Sequence, residues 1–263
     1  MRGFGEIAER LRRSTAQVRA DRRGGASGVV WREDGLVLTN AHVARGAEAE
    51  VELWDGRRFR GPVVARDVRR DLAAVRLAAR GLEAAAPGDS GALRPGEMVM
   101  AIGSPLGFAG ALSTGVVHSI GALPGLGQQR WIRADLRLAP GNSGGPLANA
   151  EGLVVGINTA IVNGLGVAAP IASAIDFLQH GPPPSLGVTL RPLPTGLLIL
   201  EVTPGSAAEA SSLREGDVLL CTANELGEAL DSGSDIIRLR FVRGRSDHVR
   251  EVSVRIGSRA EAA

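Results

Sequence analysis

Three residues have types and surroundings suited to chemistry: a serine, a histidine and an aspartate. Ser143 lies in Gly141-Asn142-Ser143-Gly144-Gly145-Pro146. Flanking glycines let the chain turn tightly, so that a serine hydroxyl is exposed and nearby N–H groups converge on one point. Acyl transfer must hold an oxyanion at such a point. The turn Gly141, Asn142, Ser143 is the expected hole, with the N–H groups of Gly141 and Ser143 as donors. His42 lies in Leu38-Thr39-Asn40-Ala41-His42-Val43, and Asp71 in Arg70-Asp71-Leu72-Ala73-Ala74-Val75. A hydroxyl is a weak nucleophile until a neutral imidazole takes its proton. A carboxylate then fixes the imidazole's tautomer and stabilises the imidazolium. Taken singly, each residue also reads as a structural histidine, a strand-end aspartate or a glycine turn. Taken together and in context, they point to nucleophilic catalysis by His42, Asp71 and Ser143.

Their order selects the architecture. Gly141-x-Ser143-x-Gly145 also fits the nucleophile elbow of α/β-hydrolases, which requires a helix straight after the serine, then an acid and a histidine. Gly144-Gly145-Pro146 would break that helix, and Asp217 and His248 lie beyond a proline-rich stretch. The order His, Asp, Ser belongs instead to the chymotrypsin arrangement. His118, His180 and His248 lack comparable context and read as surface or structural. No spacing of His, Cys or carboxylates suits a metal, and no cofactor is expected. All 30 basic residues are arginine, which excludes phosphate-loop lysines, Schiff bases and Ser–Lys dyads. The single cysteine, Cys221, permits no intrachain disulfide and sits in an apolar run.

The elements that must carry these residues are mostly strands. Between Gly24 and Pro170 short apolar runs alternate with glycine-rich turns. The candidates are Gly28 to Trp31, Leu36 to Thr39, Ala49 to Trp54, Phe59 to Val64, Leu72 to Leu77, Met98 to Ile102, Thr114 to Ile120, Trp131 to Ala134, Leu153 to Asn158 and Val167 to Ala169. Asp34-Gly35 and Asp55-Gly56 mark hairpins. This pattern indicates an all-β barrel or sandwich. Pro170 should open a short helix with Ile171, Ile175 and Leu178 on one face. His180 to Ser185 is a stiff Pro-rich linker. Beyond it, five short strands and two short helices, near Ala207 to Leu213 and Glu225 to Leu230, suggest a small α+β domain. The expected division is 1–179, linker 180–185, and 186–258, with an N-terminal helix near 3–13.

Composition bounds the rest. With 263 residues, 44% hydrophobic and 22% charged, the chain can bury more than one core. A net charge of +2, spread as arginines among acids, gives no case for nucleic acid. Charges interrupt the apolar residues of MRGFGEIAERLRR, so no export core is read there and no membrane span elsewhere. The expectation is a cytoplasmic protein, or an extracytoplasmic one if an upstream export segment is missing. The first helix should pack on the first barrel.

At these segments the chain resembles the HtrA/Deg family of trypsin-like serine proteases. The matching stretches are Ser27 to Val30, Leu38 to Val43, Asp71 to Ala73, Ile102 to Gly107, Gly141 to Pro146 and Val155 to Ala160. The resemblance implies a mostly β chain: two six-stranded barrels with the triad between them, His42 and Asp71 from the first and Ser143 from the second. It also implies that Leu138, Thr159, Ala160 and Ile161 line the pocket for the residue before the cut, although Arg137 lies close in sequence. Small or aliphatic walls favour cleavage after Val, Ala, Ile or Leu. The second domain resembles the PDZ modules of this family, with Leu186-Gly187-Val188 as the carboxylate-binding loop. The resemblance thus implies an endopeptidase for unfolded or misfolded polypeptides that also binds protein C-termini. A homotrimer with a contact near Phe4 is implied as well. The alternative is a catalytically silent peptide-binding or holdase protein on the same fold.

Overall fold

Helix α1 (Phe4–Arg13) turns one apolar stripe inward, burying Ile7 and Leu11 and leaving Phe4 half exposed. It leads directly into the first of twelve strands that form two closed barrels. Barrel one contains β1 (Thr15–Arg19), β2 (Ala26–Val30), β3 (Leu36–Thr39), β4 (Glu48–Glu52), β5 (Arg58–Asp67) and β6 (Leu72–Arg76). They close in the order β1-β2-β3-β6-β5-β4. Barrel two contains β7 (Met98–Gly103), β8 (Ala111–Gly121), β9 (Trp131–Asp135), β10 (Pro146–Asn149), β11 (Val154–Val162) and β12 (Leu165–Pro170). These close as β10-β11-β12-β9-β8-β7. Closure leaves no open sheet edge. The computed structural model describes residues 3–19, 25–104, 110–123, 129–181, 185–232, 234–244 and 248–256. Pro105, Leu106 and Gly107 of one family-like motif, Pro182 to Pro184 of the linker, and residues 257 and 258 lie outside them.

Each barrel has its own filling. Val18, Val30, Val37, Val51 and Val75 occupy the first, and Val99, Ala101, Ile132, Leu147 and Ala168 the second. A further cluster joins Leu38 and Leu72 of barrel one to Met100, Ile102, Trp131 and Ile157 of barrel two. Strand β3 is therefore buried on both faces, with Val37 facing into its barrel and Leu36 and Leu38 facing the other barrel. Burying one such leucine is worth about 1.5–3 kcal/mol, so the seam that carries the candidate site is also a major core. Close backbone approach inside the second barrel requires glycine: a Cβ on Gly115 of β8 would lie 1.8 Å from the carbonyl oxygen of Asp135.

Two strands escape the sequence reading. Strand β1 is short and polar enough to look like a continuation of the helix end, and β10 begins on Pro146 directly after the glycine turn. Helix α1 packs on more than the first barrel. Ile7 and Leu11 belong to the cluster between the barrels, and Arg10 Nη2 donates to the carbonyl of Glu151 at 2.7 Å. Helix α2 (Ile171–His180) takes Pro170 as its N-cap instead of its first residue, and buries Ile171, Ala174 and Phe177. Ile175 and Leu178 are only partly buried.

The chain divides into the units Met1–Gly181 and Pro182–Ala263. The second unit is an antiparallel sheet of order β13 (Val188–Leu193), β14 (Gly196–Val202), β15 (Asp217–Leu219), β16 (Ile236–Arg243) and β17 (Arg250–Arg255). Two helices accompany it, α3 (Ala207–Ala210) and α4 (Ala223–Asp231). Leu186, Ile199, Leu219, Phe241 and Val254 form its core. Thr222 and Glu225 make a reciprocal capping box that starts α4. The buried carboxylate of Asp217 accepts from Arg243 Nε at 2.7 Å and Nη2 at 2.8 Å.

Candidate active site

The end of β3 and the start of β6 are hydrogen-bonded neighbours, with Thr39 opposite Ala73. This register brings the turn after β3, which holds His42, against the turn before β6, which holds Asp71. The two residues meet through two bonds. The His42 backbone N–H donates to Asp71 Oδ1 at 3.0 Å, and His42 Nδ1 lies 2.7 Å from Asp71 Oδ2. An ionised carboxylate only accepts, so Nδ1 carries the proton and Nε2 is left as the basic nitrogen. The Asp71 side chain is 18% exposed and that of His42 42%. Asp71 has φ +54°, a left-handed conformation that costs a non-glycine residue free energy.

Ser143 sits in the loop between β9 and β10. Asn142 N–H donates to the Ala139 carbonyl at 3.0 Å, closing a four-residue turn with Pro140 second and Gly141 third at φ +108°. Those residue types at those positions are what a type II turn selects. Gly144 N–H donates to Asn158 O at 2.7 Å and Gly145 N–H to Asn142 O at 3.0 Å. Of the three expected hole residues, Asn142 therefore spends its N–H inside the turn. Among the described residues the N–H groups of Gly141 and Ser143 have no acceptor.

The Ser143 hydroxyl donates to the Thr159 carbonyl at 3.1 Å and is not bonded to His42. The site nevertheless has a direct link between its two halves. Asn40, wholly buried, donates through Nδ2 to the Asp71 carbonyl at 2.8 Å and to Thr159 Oγ1 at 3.1 Å. In the sequence, Asn40 and Ser27 stand out only as motif neighbours. Polar residues at the ends of strands that are otherwise apolar were the available signal.

The expected pocket residues part company. The Thr159 hydroxyl faces Asn40 and the Ile157 carbonyl. Thr159 and Ala160 both line a cleft of about 690 Å³ with His42, Asp71, Trp131, Arg45, Arg66 and Arg69. Ile161 is half exposed at 51%. Leu138 packs over Gly166 of β12, where a Cβ would lie 3.0 Å from Leu138 Cδ1. Arg137 is exposed.

Behind Asp71, Asp67 is buried and accepts from the N–H groups of Arg69 and Arg70. Burial raises its carboxyl above the ordinary range, and the two N–H groups and the nearby guanidinium charges only partly oppose this. Arg70 Nη1 reaches Asp176 of α2 at 2.7 Å. In the second unit, Leu186 is buried and Gly187 has φ +71°. The carbonyls of these two residues accept from Ala208 and Thr203 N–H. Among the described residues no cluster of His, Cys and carboxylates could hold a metal, and no helix is long and apolar enough to cross a membrane.

The family described as trypsin-like peptidase domain matches residues 26–157. A Synechocystis protein named as a candidate serine protease, HhoB, is 39% identical over 237 residues, covering 75% of this chain and 56% of its own length. A protein of Halomonas elongata named as a DegP-like periplasmic serine endoprotease is 36% identical over 245 residues, with coverages of 83% and 51%. The chain spans about half the length of these curated relatives. Among solved structures, the HtrA-type protease AlgW with tripeptide superposes with a TM-score of 0.68 at 26% identity, covering 98% of each chain. A serine endoprotease from Yersinia pestis shares the fold, with a TM-score of 0.67 at 23% identity over 98% of each chain.

Proposed function

The chain belongs to the HtrA/Deg family of trypsin-like serine proteases, and from that membership we propose that it is an endopeptidase using His42, Asp71 and Ser143. The observation that carries this reading is the doubly bonded His42–Asp71 pair, which leaves His42 Nε2 as a base. The Ser143 hydroxyl first leaves the Thr159 carbonyl and turns to His42. Oγ then bonds to the substrate carbonyl carbon while His42 takes its proton. The oxyanion is received by the N–H groups of Gly141 and Ser143. Collapse breaks the C–N bond as His42 protonates the leaving amine, and water repeats the sequence on the acyl-enzyme.

Unfolded or misfolded polypeptides are the proposed substrates, since an open cleft between barrels takes extended chain. The second unit is proposed to be PDZ-like. Strand β13 is an edge of its sheet, available for an added peptide strand, and Leu186-Gly187-Val188 lies at its start to receive a terminal carboxylate. The names of the relatives favour the extracytoplasmic alternative for location. A homotrimer is also proposed, with the exposed Phe4 as its candidate contact.

The Ser143 hydroxyl resting on Thr159 favours one second reading, a silent peptide-binding protein. Reduced casein incubated with the purified chain and with Ser143→Ala separates the two. The endopeptidase reading expects cleavage by the parent alone. Intact casein with both proteins, together with casein retained by both, supports the binding reading.

A further inference from the structure

We infer that Ser27 is a positioning residue that holds the nucleophile loop from the opposite barrel; this rests on the peptidase reading of Ser143. Ser27 is in β2 of barrel one and fully buried. Its backbone N–H donates to the Ser143 carbonyl at 2.8 Å, and its hydroxyl donates to the Gly141 carbonyl at 2.6 Å. The same hydroxyl accepts from the Ser104 N–H at 2.9 Å, which directs its single proton to Gly141. Its own carbonyl accepts from Thr39 Oγ1 at 2.8 Å, three residues before His42.

The peptide groups around Ser143 show what this does. The 141–142 group is held at both ends, by Ser27 Oγ on its carbonyl and Ala139 on its N–H. The 143–144 group is also held at both ends, by Ser27 N–H and by the Asn158 carbonyl. Between them, the Asn142 carbonyl is taken by Gly145 N–H. With these groups pinned, the two N–H groups left over are those of Gly141 and Ser143, the proposed oxyanion donors. Rotating the 141–142 peptide would break the bond to Ser27 and re-aim its neighbour. Ser27 therefore acts on the reaction through the loop, without touching substrate.

Sterics make the contact specific to a small polar residue. A Cβ on Gly103 would lie 2.9 Å from Ser27 Oγ, one on Gly145 3.0 Å from Ser27 Cβ, and one on Gly144 2.1 Å from Ser27 O. Alanine fits this space but leaves the Gly141 carbonyl and the Ser104 N–H without their partner. Cysteine keeps a weak donor there.

The test compares the parent, Ser27→Ala and Ser27→Cys on one aliphatic peptide substrate. It also measures affinity for the matching peptide boronic acid, whose tetrahedral adduct mimics the oxyanion state. Ser27→Ala is expected to lower kcat about 10- to 100-fold, short of the loss from deleting a direct oxyanion donor. KM should stay within about twofold, boronate affinity should fall in step with kcat, and Ser27→Cys should lie between. A kcat and boronate affinity within about twofold of the parent overturn the inference. So does a proportional loss of substrate and boronate binding with early melting in both variants, because that is a purely structural role. A parent that neither cleaves nor binds boronate refutes the peptidase reading itself, and this inference falls with it.

Discussion

Asn40 and Thr159 stand 119 positions apart and are joined across the barrel seam by a bond of 3.1 Å. The Asn40 amide also holds the Asp71 carbonyl. One side chain thus ties the aspartate of the His42–Asp71 pair to the residue whose carbonyl receives Ser143. Asn40→Ala should cost about 1–3 kcal/mol of stability by leaving buried polar groups unpaired. It should also lower kcat, because Asp71 sits in a left-handed backbone that this bond helps to hold. Thermal unfolding and steady-state kinetics check both. A variant with unchanged melting and turnover contradicts the link.

Asp67 supplies a pH signature of known sign. Its carboxyl is raised above the ordinary 3.8 by burial, and Asp67 Oδ2 has no hydrogen-bond partner among the described residues, while Arg70 Nε stands off at 3.6 Å. A raised acid favours the folded state when protonated. That contribution is complete below about pH 3.8 and is lost as pH rises through the raised value. Asn at this position still accepts from Arg69 and Arg70 N–H but carries no charge. Asp67→Asn should therefore melt at or above the parent at pH 7.5, with the advantage shrinking toward pH 4. A variant that melts well below the parent at pH 7.5 would show that the charge pair with Arg70 outweighs desolvation.

Specificity should follow the walls of the pocket. The residues proposed to line that pocket, Leu138, Thr159, Ala160 and Ile161, are small or aliphatic and carry no charge. A peptide-library profile should be dominated by Val, Ala, Ile or Leu before the cut. Dominance of Arg, Lys or Phe contradicts this account of the pocket.

The N-terminal helix is docked partly by arginines on an indole. The guanidiniums of Arg12 and Arg13 lie 5.2 and 5.0 Å from the Trp54 ring, and both also pair with Glu9. Each such contact at an exposed site is worth about 0.5–1 kcal/mol. Trp54→Ala should lower the melting temperature by a few degrees and expose α1 to limited proteolysis first. Unchanged proteolysis of α1 would show that Ile7 and Leu11 dock it alone.

Much of the fold was legible in the sequence. Asp-Gly pairs marked hairpins, apolar runs marked most strands, and the order of His42, Asp71 and Ser143 suited two barrels. What escaped was non-local. Strand β1 is recognisable only from its pairing with β2 and β4, and Pro146 disguised β10. The roles of Ser27 and Asn40 exist only because packing of the two barrels brings them against Gly141 and Thr159, 114 and 119 residues away. The direction of the Thr159 hydroxyl, toward Asn40 and the Ile157 carbonyl, likewise depends on a residue 119 positions away. Ile161 is 51% exposed near the end of β11, beyond the irregularity between Asn158 and Ala160, and the run of apolar residues in the sequence does not reveal this.

The central claim is that Ser143 is an activated nucleophile. It is tested most directly by treating the parent, Ser143→Ala and His42→Ala with a fluorophosphonate and mapping the adduct by peptide mass spectrometry. The account predicts one adduct per parent chain on Ser143, none in Ser143→Ala, and labelling slowed by several orders of magnitude in His42→Ala. An unlabelled parent, or labelling on another residue that survives Ser143→Ala, would contradict it.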